Sequence, residues 1–310
     1  MSNRVGVLCG GSGSSKFASA IAQYARENAP LDLGFIANVG DNFWYHGLLV
    51  CPDVDIITYA LSNQLDTQKG WGILNDGTHT KLTLSRTGGA AEWFNLGDRD
   101  VAISIKRTEL LGKGWSLTSI TRRLSASLEA SFPVIPSTDD PVQTFVKTHE
   151  GMIHLQEYWV KNGATFEASG VQYAGVRKAK PTDQFLEYCK DRVVICPANP
   201  VTSILPSLSL KGVVSCLKKS KVVAVSPFVG NKPFSGPAGK MMNALRLETN
   251  SLGVARLYSK FLKLLFVDTD EDSAIVSEIK DLGIECIKTN TRIETGSNGK
   301  TIAMELMAAV

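Results

Sequence analysis

"RVGVLCGG" (4–11), "KFASAIAQYARENA" (16–29) and "LDLGFIANVG" (31–40) follow one another at the start of the chain and decide its architecture. The first and third are short apolar runs, and the second carries apolar residues at helical spacing. Strand, helix and strand in that order make a βαβ unit, whose crossover requires parallel strands and a right-handed connection. Farther on, "DRVVICPANP" (191–200), "SKVVAVSPFVG" (220–230), "KLLFVDT" (263–269) and "GIECIKT" (283–289) are near-continuous apolar runs. Strands buried on both faces read this way. The expected fold is α/β, a doubly wound, mostly parallel, Rossmann-like sheet.

The stretch between these sets has another texture. "TELLGKGWSLTSITRRLSASLEASF" (108–132) has helix-like spacing, and a strand pair is suggested around "GMIHLQEYWV" (151–160). Residues 61–174 are therefore expected to form an inserted lid or substrate subdomain on the carboxyl edge of the sheet. Residues 1–60 and 175–310 would form the nucleotide-binding core.

Composition narrows the function. With 310 residues, 44% hydrophobic and 20% charged, the chain supports a sizeable core. A net charge of +3 argues against a broad nucleic-acid footprint, which needs a clustered basic face. The six cysteines are scattered without a C-x-x-C pair, which suits buried thiols better than zinc or a disulfide framework. No apolar run approaches the ~20 residues that span a bilayer, and no signal-peptide pattern opens the chain. A cytoplasmic protein is expected, with neither membrane nor nucleic acid as partner.

Four loops carry the chemistry. "GGSGSSK" (10–16) lies where a strand turns into a helix, so its glycines let a ligand approach and the helix N-terminus favours an anion. It matches neither Walker A nor G-x-G-x-x-G, so a tight structural turn stands beside an unusual phosphate site. "GDNFWYHGLLVCPDVD" (40–55) gathers Asp41, Asp53 and Asp55 among apolar residues. Either they cap helices and turns, or they hold a cation; capping consumes one acid, not three. Hard cations such as Mg²⁺ want one or two carboxylates plus phosphate oxygens, which favours the second reading. "PANPVTSI" (197–204) and "SPFVGNKPFSGPAGKMM" (226–242) each follow a buried strand, so Asn199, Thr202 and Ser203 fall in one strand-end loop, and Gly236, Pro237, Gly239 and Lys240 shape another anion-suited turn. Together the loops describe a nucleotide-phosphate crevice.

Those motifs, with "GWG" (70–72), "LGDRD" (96–100), "PSTDDPVQT" (136–144) and "EGMIHLQEYWV" (150–160), occur in the order seen in 2-phospho-L-lactate transferases, which make the deazaflavin coenzyme F-420. The chain resembles that family from about residue 4 to about residue 270. The resemblance implies a Mg²⁺-dependent reaction between two small-molecule substrates. A phospho-(three-carbon acid) group, whether phospholactyl, phosphoenolpyruvyl or phosphoglyceryl, would pass from its guanosine diphosphate adduct to the ribityl hydroxyl of Fo, the deazaflavin precursor. GMP would leave.

By resemblance, Fo contacts fall on Asp55 and Arg99, and the metal or catalytic carboxylate of the strand end is Asp41. The expected mechanism holds Mg²⁺ on Asp41 and Asp55, with one of these catalytic carboxylates, or Asp53, accepting the proton. The guanosine diphosphate side falls on Gly11, Gly13, Lys16, Asn199, Ser203, Ser226, Gly230 and Lys240. A homodimer is implied too. A flat tricycle also asks for stacking, for which Trp71 is the aromatic candidate. Asn42 and Ala198 depart from the family's usual second acid and serine. A second class shares the fold: gluconeogenesis-factor proteins, non-catalytic binders of nucleotide sugars, carry a T-S-I-x-P-x-L segment like "TSILPSL" (202–208). "DNFWYHG", "LGDRD" and "LQEYWV" favour the transferase.

Overall fold

The apolar runs of the sequence become one seven-stranded sheet. In the computed structural model, which describes residues 4–28, 31–88, 93–229, 232–233, 236–293 and 298–310, its strands are β1 (Arg4–Cys9), β2 (Asp32–Ala37), β5 (Val134–Pro136), β9 (Arg192–Ile195), β10 (Lys221–Val225), β13 (Leu264–Asp268) and β14 (Glu285–Thr289). Their order is β14-β13-β10-β9-β1-β2-β5, and every pairing is parallel. β10 and β13 are almost wholly buried, as two-sided strands should be. From β1 the chain proceeds outward through β2 to β5, then returns to β9 and builds the other wing. The strand order thus reverses between β1 and β9. Open α/β sheets bind ligands at the carboxyl ends of the strands flanking such a point.

Helix α1 (Gly11–Asn28) begins earlier than the sequence pattern suggests. The serines and glycines expected as a turn form its first coil, with Ser14 Oγ donating to the Gly10 carbonyl at 2.7 Å. Ser14, Ala18, Ile21, Ala22 and Ala25 form the buried face. It packs against α2 (Pro52–Leu61) and the C-terminal helix Asn298–Ala309. Pro52 opens α2, where its missing N–H costs nothing, and puts Asp53 and Asp55 in the first turn.

The hairpin β3 (Phe43–Tyr45) and β4 (Leu48–Val50) leads into α2. Helices α3 (His79–Gly88), α4 (Asp98–Gly112) and α5 (Leu117–Ser127) follow. The expected 108–132 helix is broken between α4 and α5, where Gly114 takes a left-handed φ of 83° and Ser116 Oγ caps the Ser119 amide. The 61–174 segment is not wholly outside the sheet, because β5 is its edge strand. The expected strand pair is a three-stranded antiparallel sheet, β7 (Gly151–His154), β6 (Gln143–Thr148) and β8 (Gly170–Ala174). After β7 the chain coils into a π-turn, Glu157–Lys161, so "EYWV" is helical. The short ribbon β11 (Phe228–Val229) and β12 (Lys232–Pro233) completes the strands. All six cysteines are free, and among the described residues no helix is long and apolar enough to cross a membrane.

Candidate active site

A cavity of about 430 Å³ opens at the β1/β9 reversal. The sheet side contributes Gly10 to Gly13, Asp41, Asp53, Asp55, Asn199 and Ser203. The inserted segment closes it with Trp71, Phe94, Leu96, Asp100, Gln156 and Trp159. Backbone and side chains approach closely on the floor: a Cβ on Gly10 would lie 2.7 Å from Asp53 Oδ2 and 2.8 Å from Ser203 Cβ.

Asn38, fully buried just past β2, organises the acids. Its amide nitrogen lies 3.0 Å from Asp41 Oδ1, 2.9 Å from Asp53 Oδ2 and 3.2 Å from the Thr202 carbonyl. Asp53 Oδ1 accepts from the Gly11 amide at 2.7 Å, so this acid occupies the first N–H of α1. Gln156 donates to Asp41 Oδ2 at 3.3 Å. Asp41 and Asp53 are 8% and 3% exposed, and among the described residues neither has a cationic side-chain partner. Burial drives Asp53 up to about 6, opposed by its bonds to Asn38 and Gly11. Burial, reinforced by the neighbouring Asp53, holds Asp41 well above the usual carboxylate range.

Asp55 meets different company. It pairs with the Arg107 guanidinium on α4, which is 1% exposed and also donates to the Leu49 carbonyl at 3.2 Å. Beside it Tyr59 donates its hydroxyl to Asp100 Oδ1 at 2.7 Å. Burial raises Asp55 to about 6; Arg107 opposes the rise and Asp100 adds to it.

The other expected residues divide. Gly11, Gly13, Asn199, Ser203 and Trp71 line the cavity. Asn199 Oδ1 caps the π-turn Pro200–Ile204 by accepting from the Val201 and Thr202 amides, while its Nδ2 is buried without a partner. Lys16 lines a neighbouring cavity of about 470 Å³, with Lys69, Lys232, Thr291 and Arg292. Ser12 and Gly13 border both cavities. Arg99 is exposed, donates to Gln64 Oε1 and lines neither of these cavities. Ser226 is fully buried and bonded to Ser251 Oγ at 2.7 Å, in a chain that ends on Glu271. Lys240 is exposed and donates to the Ala164 carbonyl. Gly230 lies outside the described residues.

Of the aromatics, Phe94 and Trp159 join Trp71 at the cavity, with Phe94 held edge-on against Phe43 at 4.8 Å. Sequence reasoning missed Asn38, Gln156 and Arg107. Asn38 has a local signal, a polar residue straight after an apolar strand. Arg107 has none, because its partner lies 52 residues away in the chain; Gln156 lies in the quoted "LQEYWV" motif, but nothing there points to a partner 115 residues away.

The model of the family described as 2-phospho-L-lactate transferase CofD matches residues 5–295. The 2-phospho-L-lactate transferase of Methanosarcina acetivorans is 38% identical over 300 residues, covering 96% of each chain. The phosphoenolpyruvate transferase of Streptomyces griseus is 37% identical over 292 residues, covering 91% of each. A crystal structure of a UPF0052-family protein from Bacillus halodurans superposes with a TM-score of 0.65 at 15% identity, over 99% of each chain, a likeness of fold alone. With the family model spanning nearly the whole chain, this protein belongs to the 2-phospho-L-lactate transferase family.

Proposed function

We propose that the protein transfers a phospho-(three-carbon acid) group from its guanosine diphosphate adduct to the ribityl hydroxyl of Fo, releasing GMP, in coenzyme F-420 biosynthesis. One observation carries the reading: the buried acids lie in a cavity walled by Trp71, Phe94 and Trp159, which adjoins, through Ser12 and Gly13, a second cavity lined by Lys16, Lys69, Lys232 and Arg292. The first suits a flat, largely apolar acceptor and the second a diphosphate.

The sequence leads to Asp41 with Asp55 as the expected Mg²⁺ ligands. The environments favour Asp41 with Asp53 instead, since these share Asn38 and have no cationic side-chain partner among the described residues, whereas Asp55 has Arg107. Two buried carboxylates in the wall of the first cavity, beside the second, fit a hard cation that completes its shell with substrate oxygens. Bound there, Mg²⁺ would neutralise charge on the donor's phosphates. Asn38 and Gln156 orient the two acids. Ser12 and Gly13, in the first turn of α1 where amides have no helical carbonyl to meet, would receive the departing phosphate with Lys16. Asp55 and the aromatic wall hold the acceptor, and a carboxylate of this cluster takes the hydroxyl proton as the phosphodiester forms.

The test is direct. The protein is incubated with Fo, Mg²⁺ and each guanylated acid in turn, and products are identified by mass. A phosphodiester plus GMP with at least one acid is expected. Absence of product with all three, together with tight nucleotide-sugar binding, would instead support a non-catalytic regulator of the gluconeogenesis-factor type.

A further inference from the structure

We propose that Arg107 is a positioning residue for the acceptor, acting through Asp55 to fix that carboxylate in the cavity wall. The inference rests on the transferase reading and adds to it a residue that never meets substrate. Arg107 is 1% exposed and does not line the cavity, whereas Asp55 does. One amino group of the guanidinium pairs with Asp55 Oδ1, the other donates to the Leu49 carbonyl, and Nε is buried without a partner. Besides Arg107, the Asp55 carboxylate is met by the Cys51 backbone amide, and it stands in the cavity wall where a ligand can reach it.

Stability alone does not account for this arrangement. A buried ion pair is often no better than an apolar replacement of equal volume, and an unmet buried N–H adds a further cost. What a planar, two-pronged donor supplies is orientation. The contacts fit that purpose. Asp55 and Tyr59 are i,i+4 on α2, and Asp100 and Arg107 are i,i+7 on α4, so each helix turns one polar face to the other. Arg107 to Asp55 and Tyr59 to Asp100 form two crosslinks between those faces. By also holding Leu49 at the end of the hairpin, Arg107 fixes the strand that feeds the first turn of α2. A guanidinium placed this way sets where the carboxylate stands without touching what the carboxylate binds.

A double-mutant cycle on the full-length protein tests the proposal, using Arg107→Met, Arg107→Lys, Asp55→Asn and the combination Asp55→Asn/Arg107→Met. Steady-state constants are measured separately for the deazaflavin acceptor and the guanylated donor. Arg107→Met should raise the acceptor KM about tenfold, as loss of one oriented hydrogen bond does, and move the donor KM by less than about twofold. Lysine should rescue part of the loss. In the Asp55→Asn background, removing Arg107 should raise the acceptor KM no further, because two residues on one route are not additive. Multiplying effects, or equal losses for donor and acceptor, would show that Arg107 is only a structural tie and overturn the proposal. If Arg107→Met does not fold, Asp55→Asn/Arg107→Lys completes the cycle. A wild type that neither binds nor modifies the deazaflavin removes the transferase reading itself and this inference with it. Wild-type turnover without the coupling removes this inference alone.

Discussion

Asp53 and Asp55 stand two residues apart in the first turn of α2, and burial pushes each up to about 6, yet their surroundings differ in kind. Asp53 faces a second acid, and among the described residues its donors are the neutral Asn38 and Gly11. Asp55 faces a guanidinium. Two positions along a helix turn about 200° around its axis, so one short sequence reaches opposite environments. An acid pair lacking positive charge suits a site that receives a cation from outside, and an acid already neutralised is suited to recognising a neutral donor on a ligand.

The largest expected effect follows from the first half of that contrast. Asp41→Asn and Asp53→Asn should each lower kcat by roughly a hundredfold or more, as loss of an electrostatic catalytic group does. Near-wild-type turnover of either variant at low Mg²⁺ would break the distinction. Asp55→Asn should act mainly on the acceptor, raising its KM about tenfold. It should also lower the melting temperature, because it leaves a buried guanidinium unpaired. A loss confined to kcat would place Asp55 with the metal ligands after all.

The pH dependence of stability sharpens the same point. Asp53 is raised from 3.8 to about 6 on folding, so the folded state binds its proton more tightly than the unfolded state. That contribution is complete below pH 3.8 and is lost as pH rises through about 6, amounting to a few kcal/mol. Measured with chelator present, wild-type stability should fall between about pH 4 and pH 7 by more than that of Asp53→Asn, and Mg²⁺ should restore it at about pH 7. Equal slopes for the two proteins would remove the link.

Asn199 belongs to the loop whose Ser203 abuts Gly11, on the side of the first cavity that leads through Ser12 and Gly13 to the second, so losing its unpaired amide donor in Asn199→Ala should weaken GDP binding by about 1–3 kcal/mol with little change for Fo. Equal losses for both ligands would point to collapse of the Pro200–Ile204 turn. The smallest effect is expected at Arg99. It bonds Gln64 at the surface, so Arg99→Ala should change the acceptor KM less than Asp55→Asn does.

The parallel sheet was legible because strands buried on both faces leave continuous apolar runs, as "VVAVS" and "LLFVD" do. β5 was not, since three residues are too few to show a pattern. The site was legible to the level of the loop. Asp41, Asp53 and Asp55 could be named, and Asn199 and Ser203 placed at a strand end. Which acids share a neighbour depended on Asn38, Gln156 and Arg107, brought together by packing between distant segments. Ser226 shows the same limit: its strand-end position is as expected, but its hydroxyl turns inward to Ser251 rather than to a ligand.

Calorimetric titration of Mg²⁺ in the presence of GDP, comparing wild type, Asp53→Asn and Asp55→Asn, tests the division between the two acids most directly. Asp53→Asn should abolish the Mg²⁺ signal, while Asp55→Asn should keep it within about threefold of wild-type affinity. Loss in Asp55→Asn with binding intact in Asp53→Asn would contradict it.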